Sequence, residues 1–174
     1  VLMLVCAAPI GRSMDPAATS SKTVTQAWNR ARIENAKKTG GSYRAWTVLN
    51  RVDAWGWQQP KRAMYWSTMG LDHDYHRTVL PLAADLTYDG GNGSEIYSYD
   101  GDLDEFEFLD HHILRTPYIV KDKGPRVLVI GAGGGIGLFN AIRQGAVHVK
   151  GVELQPKTVE LLTKGIRGFT GGFY

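Results

Sequence analysis

Three glycines and one carboxylate have the residue types and spacing to hold a nucleoside cofactor. Gly131, Gly133 and Gly135, with Ala132 and Gly134 between them, form a Gly-x-Gly-x-Gly turn, and Glu153 follows about twenty residues on. A turn lacking bulky side chains bares its backbone N–H groups and lets an electron-rich ligand come close. A carboxylate facing that turn accepts the hydroxyl protons of a ribose.

These residues need particular elements to hold them. Val127 to Ile130 is a short apolar run, as expected for a strand of a parallel sheet covered on both faces. Leu138 to Gln144 continues from the turn as a helix, and Gly145-Ala146 ends it. Val147 to Val152 forms the next strand, which places Glu153, with Leu154 behind it, at a strand's carboxyl end. Strand, glycine turn, helix, strand and acid in this order indicate an α/β fold.

A dinucleotide site calls for Gly-x-Gly-x-x-Gly, but Ile136 stands where the last glycine would fall and Gly137 comes one place later. An NAD(P)- or FAD-binding oxidoreductase is therefore the alternative reading. A non-catalytic assembly module with a degenerate cradle is another. The combination of Gly131 to Gly135 with Glu153 resembles instead the first motif of class I S-adenosylmethionine-dependent transferases. In that family the glycine turn faces the amino-acid portion of the cofactor and the acid binds its ribose.

The resemblance extends upstream. Glu95 to Asp102, Phe106 to Leu109 and Thr116-Pro117-Tyr118 are similar to the approach to that motif in spermidine-synthase-like proteins, where Gly-Val-Glu-x-x-Pro also follows the glycines, as Gly151 to Pro156 does here. Trp46 to Asp53 resembles the first strand of their small N-terminal β-domain. The family implies a Rossmann-like donor-binding domain, S-adenosylmethionine or its decarboxylated form as cofactor, and methyl or aminopropyl transfer to a small-molecule acceptor. It implies cofactor contacts at Gly131, Ala132, Gly133, Gly134, Gly135, Glu153 and Leu154. Spermidine synthases carry an aspartate where Gly134 stands and Tyr-His-Glu where Phe108-Leu109-Asp110 stands, so polyamine synthesis is not carried over. Asp110 is a candidate substrate contact. The family's amine-deprotonating aspartate would fall after a fourth strand, past Tyr174, so no general base is assigned in this chain.

Around this unit the chain divides into four stretches. Residues 1–22 are an apolar stub and linker, 23–41 a linking helix, 42–120 a β-rich region, and 121–174 an incomplete Rossmann-like domain. Val1 to Ile10 is almost wholly apolar but spans only ~15 Å as helix, short of a bilayer. It reads as the tail of a membrane segment preceding residue 1, the end of a signal peptide, or a packed strand. Both ends read as excisions. Val24, Ala27, Trp28 and Ala31 have helical spacing, with Gly40-Gly41 as a stop. Between Ser42 and Tyr99 aromatic and β-branched residues alternate with turn signals. The clearest is Asp89 to Gly93, between Asp85–Tyr88 and Glu95–Tyr99, which predicts a hairpin. Asp104 to Ile113 reads as a helix with Phe106, Leu109 and Ile113 on one face, closed by Pro117.

Composition excludes several classes. With 43% hydrophobic and 21% charged residues the chain is globular rather than disordered. A net charge of +3, scattered along the chain, gives no nucleic-acid footprint. The single cysteine, Cys6, rules out an internal disulfide and fits a cytoplasmic location, including that of a membrane protein's cytoplasmic domain. Asp72-His73-Asp74-Tyr75-His76 reads as a polar loop, so no metal site is assigned. Trp46 to Trp66 reads as core or as a homo-oligomer interface rather than a base-stacking platform.

Overall fold

The computed structural model describes residues 41–58, 60–63, 69–75, 80–120 and 124–174. The expected helix after Thr23, the apolar run Val1 to Ile10, Cys6, Trp66 and His76 lie outside the described residues.

Strands β1 (Ser42–Trp46), β2 (Arg51–Trp55), β3 (Lys61–Arg62), β4 (Leu82–Tyr88) and β5 (Asn92–Tyr97) form an antiparallel sheet. β4 is its centre. β5 lies along one edge from Ala83↔Tyr97 to Tyr88↔Asn92. The other edge is shared by β2, opposite Asp85 to Tyr88, and β3, opposite Leu82 and Ala83. The predicted hairpin is present: Asp89 and Gly90 adopt φ of 51° and 72°, as a type I′ turn requires, and the Gly91 N–H donates to the Tyr88 carbonyl. Trp46 to Asp53, expected as one strand, instead crosses the β1–β2 turn. The Thr47 hydroxyl accepts the Leu49 and Asn50 N–H groups there and offers the chain a local alternative to extension.

Asp104–His111 is helical but winds as a 3-10 helix interrupted at Phe106. This changes the predicted buried face: Phe108 joins Phe106 and Leu109 inside, while Ile113 is exposed. Pro117 does not close that helix. It sits in the first turn of a new one, α1 (Thr116–Ile119), where its missing N–H is not needed.

Next comes a parallel βαβ unit of β6 (Arg126–Ile130), α2 (Ile136–Arg143) and β7 (His148–Val152), followed by α3 (Pro156–Glu160) and a π-turn at Leu161–Gly165. The molecule is thus mixed α/β, with an antiparallel sheet and a two-stranded parallel sheet. Among the described residues, covering of β6 on both faces is not found. α2 lies close over one face, near enough that a Cβ at Gly137 would stand 3.0 Å from Val129. On the other face Leu128 and Ile130 are 57% and 81% exposed, because a single crossover helix shields a single side of its sheet.

The two regions expected at 42–120 and 121–174 share their cores. One face of the antiparallel sheet, with Val52, Ala54, Ala84, Leu86 and Ile96, is covered by Leu161, Leu162 and Ile166. Tyr97 and Tyr99 pack edge-on against Phe139 of α2, which is stacked between Phe106 and Phe173 at centroid distances of 4.0 and 3.8 Å. Trp55 belongs to the buried interior, whereas Trp46 at the β1 end is half-exposed. Among the described residues no helix is long and apolar enough to cross a membrane.

Candidate functional site

The turn between β6 and α2 is anchored at its start by Val152, whose carbonyl accepts the N–H groups of both Gly131 and Ala132. Gly131 has φ of 74°, and nothing lies within 4 Å of where its Cβ would be, so this side of the turn faces open space. Beyond it Gly133 has φ of 51° and directs its N–H to Glu153.

Glu153 leaves the carboxyl end of β7 and turns back over the glycines. Its Oε2 accepts the Gly133 N–H at 2.8 Å, and its Oε1 accepts the Gln155 N–H at 2.9 Å. A carboxylate has about four acceptor positions. Two are used to orient the group, which leaves one on each oxygen. Glu153 is half-buried. Leu154, the next residue, is 75% exposed beside the acid.

The second half of the turn is arranged differently. Gly134 and Gly135 are buried. A Cβ at Gly134 would run into the Glu95 carbonyl, and one at Gly135 would run into the Tyr174 phenol. The Gly134 N–H donates to Ser94 Oγ at 3.1 Å, and the Gly134 carbonyl accepts the Tyr174 hydroxyl. Burial raises the pKa of Tyr174, so its phenol stays a neutral donor. The five turn residues expected at a ligand thus differ in surroundings: Gly131 faces open space, Ala132 and Gly133 are half-buried, and Gly134 and Gly135 have β5 and Tyr174 packed against them.

Asp110, the candidate substrate contact, is engaged within the protein. Its Oδ2 accepts from Arg143 Nε and Nη2 at 2.9 and 2.7 Å, and its Oδ1 accepts from Gln144 Nε2 at 2.8 Å. Burial would lower the Arg143 pKa, but the hydrogen bonds and charge of Asp110 overcome this, and the pKa is raised. In the structure Asp110 serves as an anchor. It ties the 3-10 segment to the carboxyl end of α2, where a cation is also favoured by the helix dipole.

Sequence reasoning overlooked several residues around the acid. Tyr88 donates to or accepts from Thr158 Oγ1 at 3.2 Å; burial raises its pKa, the Thr158 bond opposes this, and the nearby Glu153 charge adds to it. Thr47 Oγ1 donates to Gln155 Oε1 at 3.0 Å, which ties the β1–β2 turn to the residue whose N–H orients Glu153. Ser94 was also missed. Its signal was available, because alternation from Ile96 places position 94 on the buried face, where a hydroxyl needs a partner. Asp72, His73 and Asp74 are exposed, and among the described residues no group of three or more His, Cys, Asp or Glu is placed to hold a metal ion.

No family model matches this chain, nor does any curated protein or solved structure.

Proposed function

We propose that the βαβ unit is the donor-binding part of an S-adenosylmethionine-type transferase, with a Rossmann-like arrangement of the kind found in spermidine-synthase-like proteins. The supporting observation is the two-amide grip on Glu153. Bonds from Gly133 and Gln155 fix the carboxylate over an open glycine turn with one acceptor position left on each oxygen. Two acceptor positions on one rigid carboxylate suit the adjacent hydroxyls of a ribose.

The residues present fit such a donor. Gly131 has open space where a side chain would be, and Leu154 offers an exposed apolar surface next to the acid for an adenine ring. When bound, the donor supplies an electrophilic carbon on a sulfonium sulfur. Glu153 would hold the ribose, and Gly131 to Gly133 would admit the amino-acid portion. Methyl and aminopropyl transfer both remain within this reading.

Calorimetric titration with S-adenosylmethionine, its decarboxylated form and NAD tests the proposal. Binding of either sulfonium compound, weakened by Glu153→Ala, supports it. Binding of NAD alone would favour the oxidoreductase reading.

A further inference from the structure

We propose that Ser94, on the antiparallel sheet, is a positioning residue for the donor site. This inference rests on the donor-binding reading above. Ser94 occupies a register position opposite Leu86, on the face that also carries the buried apolar residues Ala84, Leu86 and Ile96. Ser94 itself is half-buried, and a hydroxyl partly removed from water gains from a partner. Its partner is the backbone of the glycine turn: Ser94 Oγ accepts the Gly134 N–H at 3.1 Å and donates to the Glu95 carbonyl at 3.3 Å.

That bond has a consequence for the neighbouring residue. Gly133 and Gly134 send successive N–H groups to acceptors on different elements, Glu153 beyond β7 and Ser94 on β5. Glycine has access to many backbone conformations, so a turn of this composition depends on outside contacts beside its own Gly135 N–H to Ala132 carbonyl bond. The Ser94 bond fixes the peptide plane between Gly133 and Gly134, and with it the carbonyl of Gly133 on the turn's half-exposed stretch. The antiparallel sheet thus sets the conformation of the turn that the donor's amino-acid portion would face. Glu153, held by Gly133 and Gln155, continues to orient the ribose side without Ser94.

The test separates these two sides with two ligands. S-adenosylmethionine reaches both the turn and the acid, whereas adenosine depends on the acid. Calorimetry and nitrogen-15 amide spectra are recorded for the parent chain and Ser94→Ala. The expected result is a shifted, faster-exchanging Gly134 amide, about fivefold weaker S-adenosylmethionine binding, and unchanged adenosine binding. Equal S-adenosylmethionine affinity in both proteins, or equal weakening of both ligands, would overturn the assignment. If Ser94→Ala does not fold, Ser94→Cys, similar in volume but a weaker acceptor, must show the same selective weakening; parental affinity there also overturns it. A parent chain that binds neither ligand removes the donor reading itself. A parent chain that binds while Ser94→Ala binds equally removes only the role of Ser94.

Discussion

The Glu153 carboxylate and the Gly133 N–H, 20 residues apart in the chain, meet at 2.8 Å and close the glycine turn against the end of β7. The same carboxylate accepts the Gln155 N–H, so both of its oxygens face backbone donors. Glu153→Gln keeps the shape but turns an NH2 group toward one of those N–H groups. Leaving a half-buried donor without its acceptor costs about 1–3 kcal/mol. Urea denaturation of Glu153→Gln should show a loss of that size; parental stability would mean that the two amides do not depend on the carboxylate.

Gly131 and Gly134 should respond differently to alanine. At Gly131 the added methyl enters open space, and the penalty is that of a left-handed backbone, about 1–2 kcal/mol. At Gly134 it meets the Glu95 carbonyl, so strand β5 must shift, an overpacking strain of about 1–3 kcal/mol beyond the lost fit. Gly131→Ala should therefore fold and lose ligand access, while Gly134→Ala should lose stability first. Thermal melts of the two variants check the order.

Asp110→Ala should affect folding and leave donor affinity alone. It removes the acceptor of Arg143 Nε and Nη2 and of Gln144 Nε2, while Arg143 Nη1 keeps the Leu103 carbonyl and Asp104; hydrogen bonds to a charged group are worth about 1.5–3 kcal/mol. Denaturation and calorimetry on the same preparation distinguish this from a substrate contact, which would lower binding at unchanged stability.

The ion pair within β2 carries a larger stake. Arg51 Nε donates to Asp53 Oδ2 at 2.6 Å with both residues buried, and Arg44 Nε donates to Asp53 Oδ1 at 2.8 Å. Removing Asp53 takes a charged acceptor from the buried Arg51 Nε, and breaking a buried pair costs about 3–5 kcal/mol. Asp53→Ala should be among the most destabilising single changes in the sheet, as measured by its urea midpoint.

His112 gives the chain a pH dependence of definite sign. Its Nδ1 accepts the Leu114 N–H at 3.1 Å, and burial lowers its pKa, with the Met69 carbonyl opposing. The unfolded chain binds the proton more readily than the folded one, so stability rises with pH. The contribution is complete above the ordinary imidazole value of 6.5 and is lost as pH falls through it toward the lowered folded value. His112→Asn, which keeps an acceptor but does not titrate, should flatten the stability profile below that point.

What was legible in the sequence followed from local chemistry. The Asp89-Gly90 turn, the order β6, turn, α2, β7, and the position of Glu153 each follow from glycine, from apolar runs or from both, and the structure has them. What was missed depends on partners distant in sequence. Asp110 looked free because Arg143 lies |i−j| = 33 away, and Ser94 looked unremarkable because Gly134 lies |i−j| = 40 away. The smallness of Gly134 and Gly135 admitted a second cause, packing by Glu95 and Tyr174, that no reading of the turn alone could show. At Thr47 and Pro117 local rules applied but were assigned to the wrong element, a strand interior and a helix end.

The most direct measurement is calorimetric titration of the chain with S-adenosylmethionine, repeated with Glu153→Ala. The expected result is saturable binding to the parent and a loss of about 1–3 kcal/mol in the variant, from ribose hydroxyls left without their acceptor. Binding of equal strength to both proteins, or none to the parent, would contradict the role assigned to the carboxylate and the glycine turn.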